Sequence, residues 1–210
     1  MGNLETEDPL CRHVATNTGL AVLNVNYRHT PEWIFPAPVD DAWTAYKWTQ
    51  ETSAEYGIDP KRVFVGGVSA GATLAITVAL RALKKVSKPL TPLQLYTSLT
   101  FFTFLQGVNP VQGLILSTPA TVHPDYFPTN LIDEGQNSLT QNADAPFINA
   151  ARLRNFTNMY QPDATHPDFS PLLLPSESFR GLCPTKFHIA GFDPLRDEGL
   201  LFEEKLRNAG

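Results

Sequence analysis

Apolar residues along this chain fall in short runs separated by longer stretches of mixed character. Leu20–Tyr27 (LAVLNVNY) is apolar and β-branched and predicts a strand. From Asp40 to about Tyr56, the residues Ala42, Tyr46, Trp48 and Ala54 recur at roughly helical spacing, with Gly57 as the stop. Arg62–Val65 predicts a short buried strand. Ala70–Lys85 predicts a helix with Leu74, Ala75, Val78 and Leu80 turned inward. Val111–Leu116 and Lys186–Ala190 predict two more strands, and Arg196–Asn208 an amphipathic helix carrying Leu200, Leu201 and Leu206. Short apolar strands alternating with helices predict an α/β fold: a parallel sheet with helices on both faces. The stretch 119–180 breaks the alternation. It is rich in Pro, Asn and Asp, with one helical piece near Pro146–Tyr160. It predicts a cap-like insertion over the C-terminal edge of the sheet, the edge that carries sites in such folds.

Composition narrows the class. With 210 residues, 42% of them hydrophobic, the chain can bury the core of a single domain, 1–210. The net charge of −5 and the lack of basic clusters argue against nucleic acid as a partner. Cys11 and Cys183 lie far apart and suit a reducing compartment without a disulfide framework. No Cys/His spacing suits a metal, and no cofactor is expected. The acidic start MGNLETEDPL has no apolar centre and does not read as a signal peptide. The most apolar window, Leu90–Val108, holds Pro92, Gln94 and Gln106 and makes a poor membrane span. These features predict a cytoplasmic protein.

The chemistry concentrates in KRVFVGGVSAGATLAI, residues 61–76. An apolar run, then Gly67-Val68-Ser69-Ala70-Gly71, then a helical segment has the form of a nucleophile elbow. Such a serine sits on a sharp, strained strand-to-helix turn. Gly67 and Gly71 are expected to leave room for that turn. The helix N-terminus aims free N–H groups at the reacting oxygen, and the Ala70 N–H would supply half of an oxyanion hole. A plain βα turn of small residues is the alternative that the pentapeptide alone leaves open.

Three separated blocks add a resemblance: VNYRHTPEWIFPAPVDDAW (25–43), YGIDPKRVFVGGVSAGATLA (56–75) and GFDPLRDEGLLFEEKLRNAG (191–210). They resemble the hormone-sensitive-lipase-like branch of the α/β-hydrolases, in the style of its fungal members. Members of this branch are carboxylesterases and lipases acting on small or medium acyl esters. The resemblance implies a three-layer α/β-hydrolase fold with no cofactor and a small acyl ester as substrate. It also implies that Ser69 is the nucleophile and Asp193 the acid that orients a catalytic imidazole. Glu32, Phe35, Pro36 and Asp41 match positions expected to fix backbone near the elbow. Val68 and Ala72 depart from the usual Asp before the serine and Gly after the second glycine; neither change removes chemistry.

Two departures bear on activity. The family's His-Gly-Gly oxyanion motif lies just upstream of a segment like GNLETED, and its catalytic histidine lies beyond the acid. Neither is found in these 210 residues. The five histidines are His13, His29, His123, His166 and His188. His188 reads as a sheet residue, and His123 and His166 fall in the insertion. The expectation is therefore a family member shortened at both ends, missing N-terminal strands and the last strand, and catalytically inactive as it stands. A sheet missing a strand between Leu20–Tyr27 and Arg62–Val65 would leave backbone groups unpaired, at about 1–3 kcal/mol each. The alternative is a non-catalytic, small-ligand-binding member of the same fold. Residues 86–106 form an anomalous insertion where the family has only a short join. Val86-Ser87, Leu99-Thr100 and Leu105-Gln106 permit splice-signal codons, so this stretch reads as a translated intron, with an apolar lid insertion as the alternative.

Overall fold

A computed structural model describes residues 3–86, 108–133 and 135–210. Its centre is a three-stranded parallel sheet, order β1–β2–β3, built from β1 (Phe64–Val68), β2 (Gly113–Ser117) and β3 (Thr185–His188). Phe64 to Val68 lie opposite Gly113 to Ser117 in register, and Leu114 to Ser117 lie opposite Thr185 to His188. Two helices precede β1: α1 (Leu4–Thr18) and α2 (Ala37–Glu51). Helix α3 (Ala70–Val86) begins one residue after β1. Between β2 and β3 come the short α4 (Ser138–Gln141), α5 (Ala150–Tyr160) and several 3₁₀ turns, and α6 (Arg196–Ala209) closes the order.

One face of the sheet is the core. Helix α3 packs on β1 and β2, and α2 packs on α3. Ala72, Ala75, Ile76, Ala79, Leu80 and Ala82 of α3 meet Leu114 and Leu116 of β2, Phe179 and Phe202 in one buried cluster. The four α3 positions expected to turn inward, Leu74, Ala75, Val78 and Leu80, are all buried. Phe179 and Phe202 stack edge to face at 5.3 Å, a preferred aromatic geometry. On the other face Phe64, Val68 and Ile115 stand exposed.

Several expectations need correction. Leu20–Tyr27 joins no ladder, and Leu20, Val22, Leu23 and Val25 are exposed. A strand exists only through a neighbour's hydrogen bonds, and among the described residues this segment has none, so its β propensity goes unused. The outer edge of β1 is likewise free among the described residues. Helix α2 stops at Glu51 rather than near Tyr56, because the chain turns at 52–57 and Gly57 takes a left-handed φ of 65°. Trp48 and Ala54 accordingly face outward, while Tyr46 is buried. In α6, Leu200 is exposed, and the buried positions are Asp197, Glu198, Gly199 and Phe202.

Helix α1 is an element that the apolar pattern does not predict, because its signals are polar. The Asn3 side chain accepts from the Thr6 N–H, the Thr6 hydroxyl accepts from the Asn3 N–H, and Gly19 ends the helix at φ 70°. None of its residues is buried. The proposed 86–106 insertion lies outside the described residues apart from Val86, which ends α3.

Candidate active site

All three strands run parallel, so their C-terminal ends share one edge. Ser69 follows β1, Thr118 follows β2, and Asp193 lies five residues beyond β3. The backbone stitches this edge together. The Ser69 N–H donates to the Ser117 carbonyl at 2.9 Å, and the Thr118 N–H donates to the His188 carbonyl at 2.8 Å.

Ser69 has φ 52°, a left-handed conformation that costs a non-glycine residue about 1–3 kcal/mol. Helix α3 holds the turn in place. The Ala72 and Thr73 N–H groups both donate to the Ser69 carbonyl, and α3 is anchored along its length in the core. Gly67 is required by contact: a Cβ there would sit 2.4 Å from the Gly71 carbonyl carbon and 2.8 Å from the Ala72 nitrogen. The expected steric role of Gly71 is not seen. A Cβ on Gly71 meets nothing within 4 Å, so the crowding is relieved at Gly67 alone. Ala70 is the first residue of α3, so its N–H has no intrahelical acceptor and is exposed at the turn.

The Asp193 carboxylate accepts from the Leu195 N–H at 2.8 Å, a local turn that aims the side chain. Its loop is tied down by buried polar groups. Asn142 Nδ2 donates to the Asp193 carbonyl at 3.1 Å, and Ser138 Oγ donates to the Pro194 carbonyl at 2.7 Å. Asp197, almost fully buried, accepts from the Ser138 N–H at 2.6 Å and pairs with Arg196. Glu198 is 1% exposed and accepts from the Thr121 N–H, while the Thr121 hydroxyl donates to the Glu198 carbonyl. Burial pushes the Glu198 carboxyl up to about 8, against the opposing pull of the Thr121 and Val122 amides. A further bridge reaches the serine's side: Thr73 Oγ1 donates to the Ala120 carbonyl, next to Thr121.

None of Ser138, Asn142, Asp197 or Glu198 stands out in the sequence. An Asp-Glu pair at the start of a helix reads as solvent-exposed charge favoured by the helix dipole. The available signal was the Leu-free buried face of α6, which emerges only once the helix is placed.

The histidines are engaged elsewhere. His13 contacts Asn17 on α1, and His29 packs at a tilt against Tyr27. His123 Nδ1 accepts from the Asp125 N–H, and His166 Nδ1 from the Asp168 N–H, each closing its own turn. His188 Nδ1 shares a hydrogen bond with Ser117 Oγ at 3.2 Å. Among the described residues, none bonds to Ser69 Oγ or to the Asp193 carboxylate. Asp41, read as structural, accepts from the backbone N–H and the guanidinium of Arg28 and pins residues 28–35 onto α2. Phe35 packs against Tyr160 and His166, whereas Glu32 is exposed. No group of three metal-ligating side chains occurs among the described residues, and no helix there is long and apolar enough to cross a membrane.

The chain as a whole matches known proteins. The family pattern described as alpha/beta hydrolase fold covers residues 1–210. The esterase LipI of Mycobacterium tuberculosis is 32% identical over 212 residues, covering all of this chain and 57% of the relative. The versiconal hemiacetal acetate esterase of Dothistroma septosporum is 30% identical, covering all of this chain and 58% of the relative. Among solved structures, vibralactone cyclase matches at 30% identity with a TM-score of 0.80, covering all of this chain and 55% of that one. A thermostable esterase from Pseudomonas putida matches at 29% identity and a TM-score of 0.80, covering all of this chain and 57% of that one. The chain belongs to the α/β-hydrolase family, in its hormone-sensitive-lipase-like carboxylesterase branch. It spans little more than half the length of these relatives.

Proposed function

We propose that this chain is the central part of a cytoplasmic serine carboxylesterase. In this reading Ser69 attacks the carbonyl carbon of a small acyl ester. The alcohol leaves, and water then releases the acid from the acyl-enzyme. The Ala70 N–H stabilises the oxyanion, and Asp193 orients the imidazole that takes the serine proton. Residues 119–180 would cap the edge where the ester binds. The observation that carries the reading is the left-handed φ of Ser69 at a strand–helix junction, with Gly67 admitting no Cβ.

The same geometry argues that residues 1–210 alone turn esters over poorly. Among the described residues, none of the five histidines bonds to Ser69 Oγ or to the Asp193 carboxylate, and each has another partner. A triad without its base loses about 10⁴–10⁶ in rate. That placement also favours, as a second reading, a ligand-binding member that keeps the fold without the chemistry.

The test is to sequence the transcript end to end and express what it encodes. The 210-residue chain should leave p-nitrophenyl butyrate at the buffer rate. A longer product carrying a further histidine should hydrolyse it, and Ser69→Ala should abolish that activity. Activity that survives Ser69→Ala overturns the serine reading, and ready turnover by the 210-residue chain overturns the inactive one. A transcript that ends where this chain ends favours the ligand-binding member.

A further inference from the structure

The loop that carries Asp193 is gripped from one direction. Among the described residues, every side chain outside the loop and its helix that bonds to residues 193–198 comes from the segment after β2. Asn142 holds the Asp193 carbonyl, and Ser138 Oγ holds the Pro194 carbonyl. The Ser138 hydroxyl also accepts from the Asp197 N–H at 3.2 Å, while the Asp197 carboxylate accepts from the Ser138 N–H. Gln141 bonds to Arg196. Ser138 is fully buried and Asn142 nearly so, so these bonds form away from competing water. At residues 193–195 the grip falls on backbone carbonyls, and among the described residues the Asp193 carboxylate bonds only within its own turn.

We propose that Ser138 and Asn142 are positioning residues: they fix the backbone of residues 193–195 so that the Asp193 carboxylate keeps its aim. The proposal rests on the reading of Asp193 as the orienting acid. The local Leu195 N–H bond can set the side-chain rotamer, but it cannot place the loop against β3 and the elbow. Ser138 and Asn142 supply that placement. They sit at the two ends of α4, whose one turn keeps them together, with the Asn137 side chain accepting from the Thr140 N–H at its start.

Amide hydrogen exchange on the full chain tests this without requiring turnover. In wild type, the Leu195 N–H (to the Asp193 carboxylate) and the Arg196 N–H (to the Asp193 carbonyl) report the loop. The Ser69 and Thr73 N–H groups report the elbow. Asn142→Ala and Ser138→Ala should each speed exchange at Leu195 and Arg196 by about tenfold, the loss of one ordinary hydrogen bond. Ser69 and Thr73 should stay at their wild-type rates. Ser138→Thr, which keeps the hydroxyl, should restore protection. Unchanged exchange at Leu195 and Arg196, or equal acceleration at loop and elbow, overturns the proposal. Because these readouts involve no ester, they stand apart from the outcome of the Ser69→Ala hydrolysis experiment, which judges the functional reading by itself.

Discussion

Helices α3 and α6 each come after a candidate site residue, and they are anchored by opposite physics. Helix α3, after Ser69, is buried through Ala72, Ile76, Ala79 and Leu80, with no charged residue among its buried positions. Helix α6, after Asp193, buries Asp197 and Glu198 ahead of Phe202. Apolar packing is non-directional and tolerates pH. A buried carboxylate is directional, since it is stable only while its hydrogen bonds are made. The serine is therefore held by close packing against backbone strain. Asp193 is held by a polar network that fixes direction but responds to protons.

The largest effect that would sharpen this contrast is on the apolar side. Ile76→Ala removes a side chain with no exposed surface and should cost about 2–5 kcal/mol in urea unfolding, at every pH tested. Gly67→Ala should come next at about 1–3 kcal/mol. Its Cβ meets the Gly71 and Ala72 backbone, which cannot swing away, and the loss should exceed that of Gly71→Ala. If the two glycine variants proved equal, the one-sided crowding of the elbow would be wrong.

On the polar side the signature is a slope. Glu198 titrates near 4.5 when exposed and near 8 when buried in the native state. Between those values the folded chain binds more protons than the unfolded one. The stability contributed by this group is complete below about pH 4.5 and is lost as pH rises toward 8. Glu198→Gln keeps an acceptor for the Thr121 N–H and removes the ionisation. It should flatten this part of the pH–stability curve and leave the variant relatively more stable at pH 8 than at pH 5, as read by thermal unfolding. An unaltered slope would remove Glu198 from the account.

The smallest expected effect returns to the strain. Ser69→Gly relieves the left-handed φ and should stabilise by about 1 kcal/mol, whereas Ser69→Ala keeps the strain and should not. Equal unfolding midpoints for the two variants would break the link between the turn's conformation and its cost.

Strand β2, most of β3, α3, the strand–helix turn at Ser69 and the family were legible in the amino-acid order. Strand β1, by contrast, starts at Phe64, two residues later than the Arg62–Val65 expected, and alternates exposed and half-buried positions where a buried strand was expected. Each rests on local information: an apolar run of strand length, a helical repeat, a glycine where backbone must approach backbone. Ser69, Ala70 and Gly67 could be read because strand, turn and helix are adjacent in the chain. Leu20–Tyr27 misled because β propensity states a preference, while a ladder needs a partner strand, and among the described residues the segment has none. The pentapeptide does not distinguish its two glycines, yet the crowding falls on Gly67 alone. It took the packed fold to put Asp197 and Glu198 inside and to bring Ser138 and Asn142 to the acid loop. Those bonds join residues more than fifty positions apart, and the environment that turns a helix-start carboxylate into a buried acceptor exists only when α6 packs against the segment after β2.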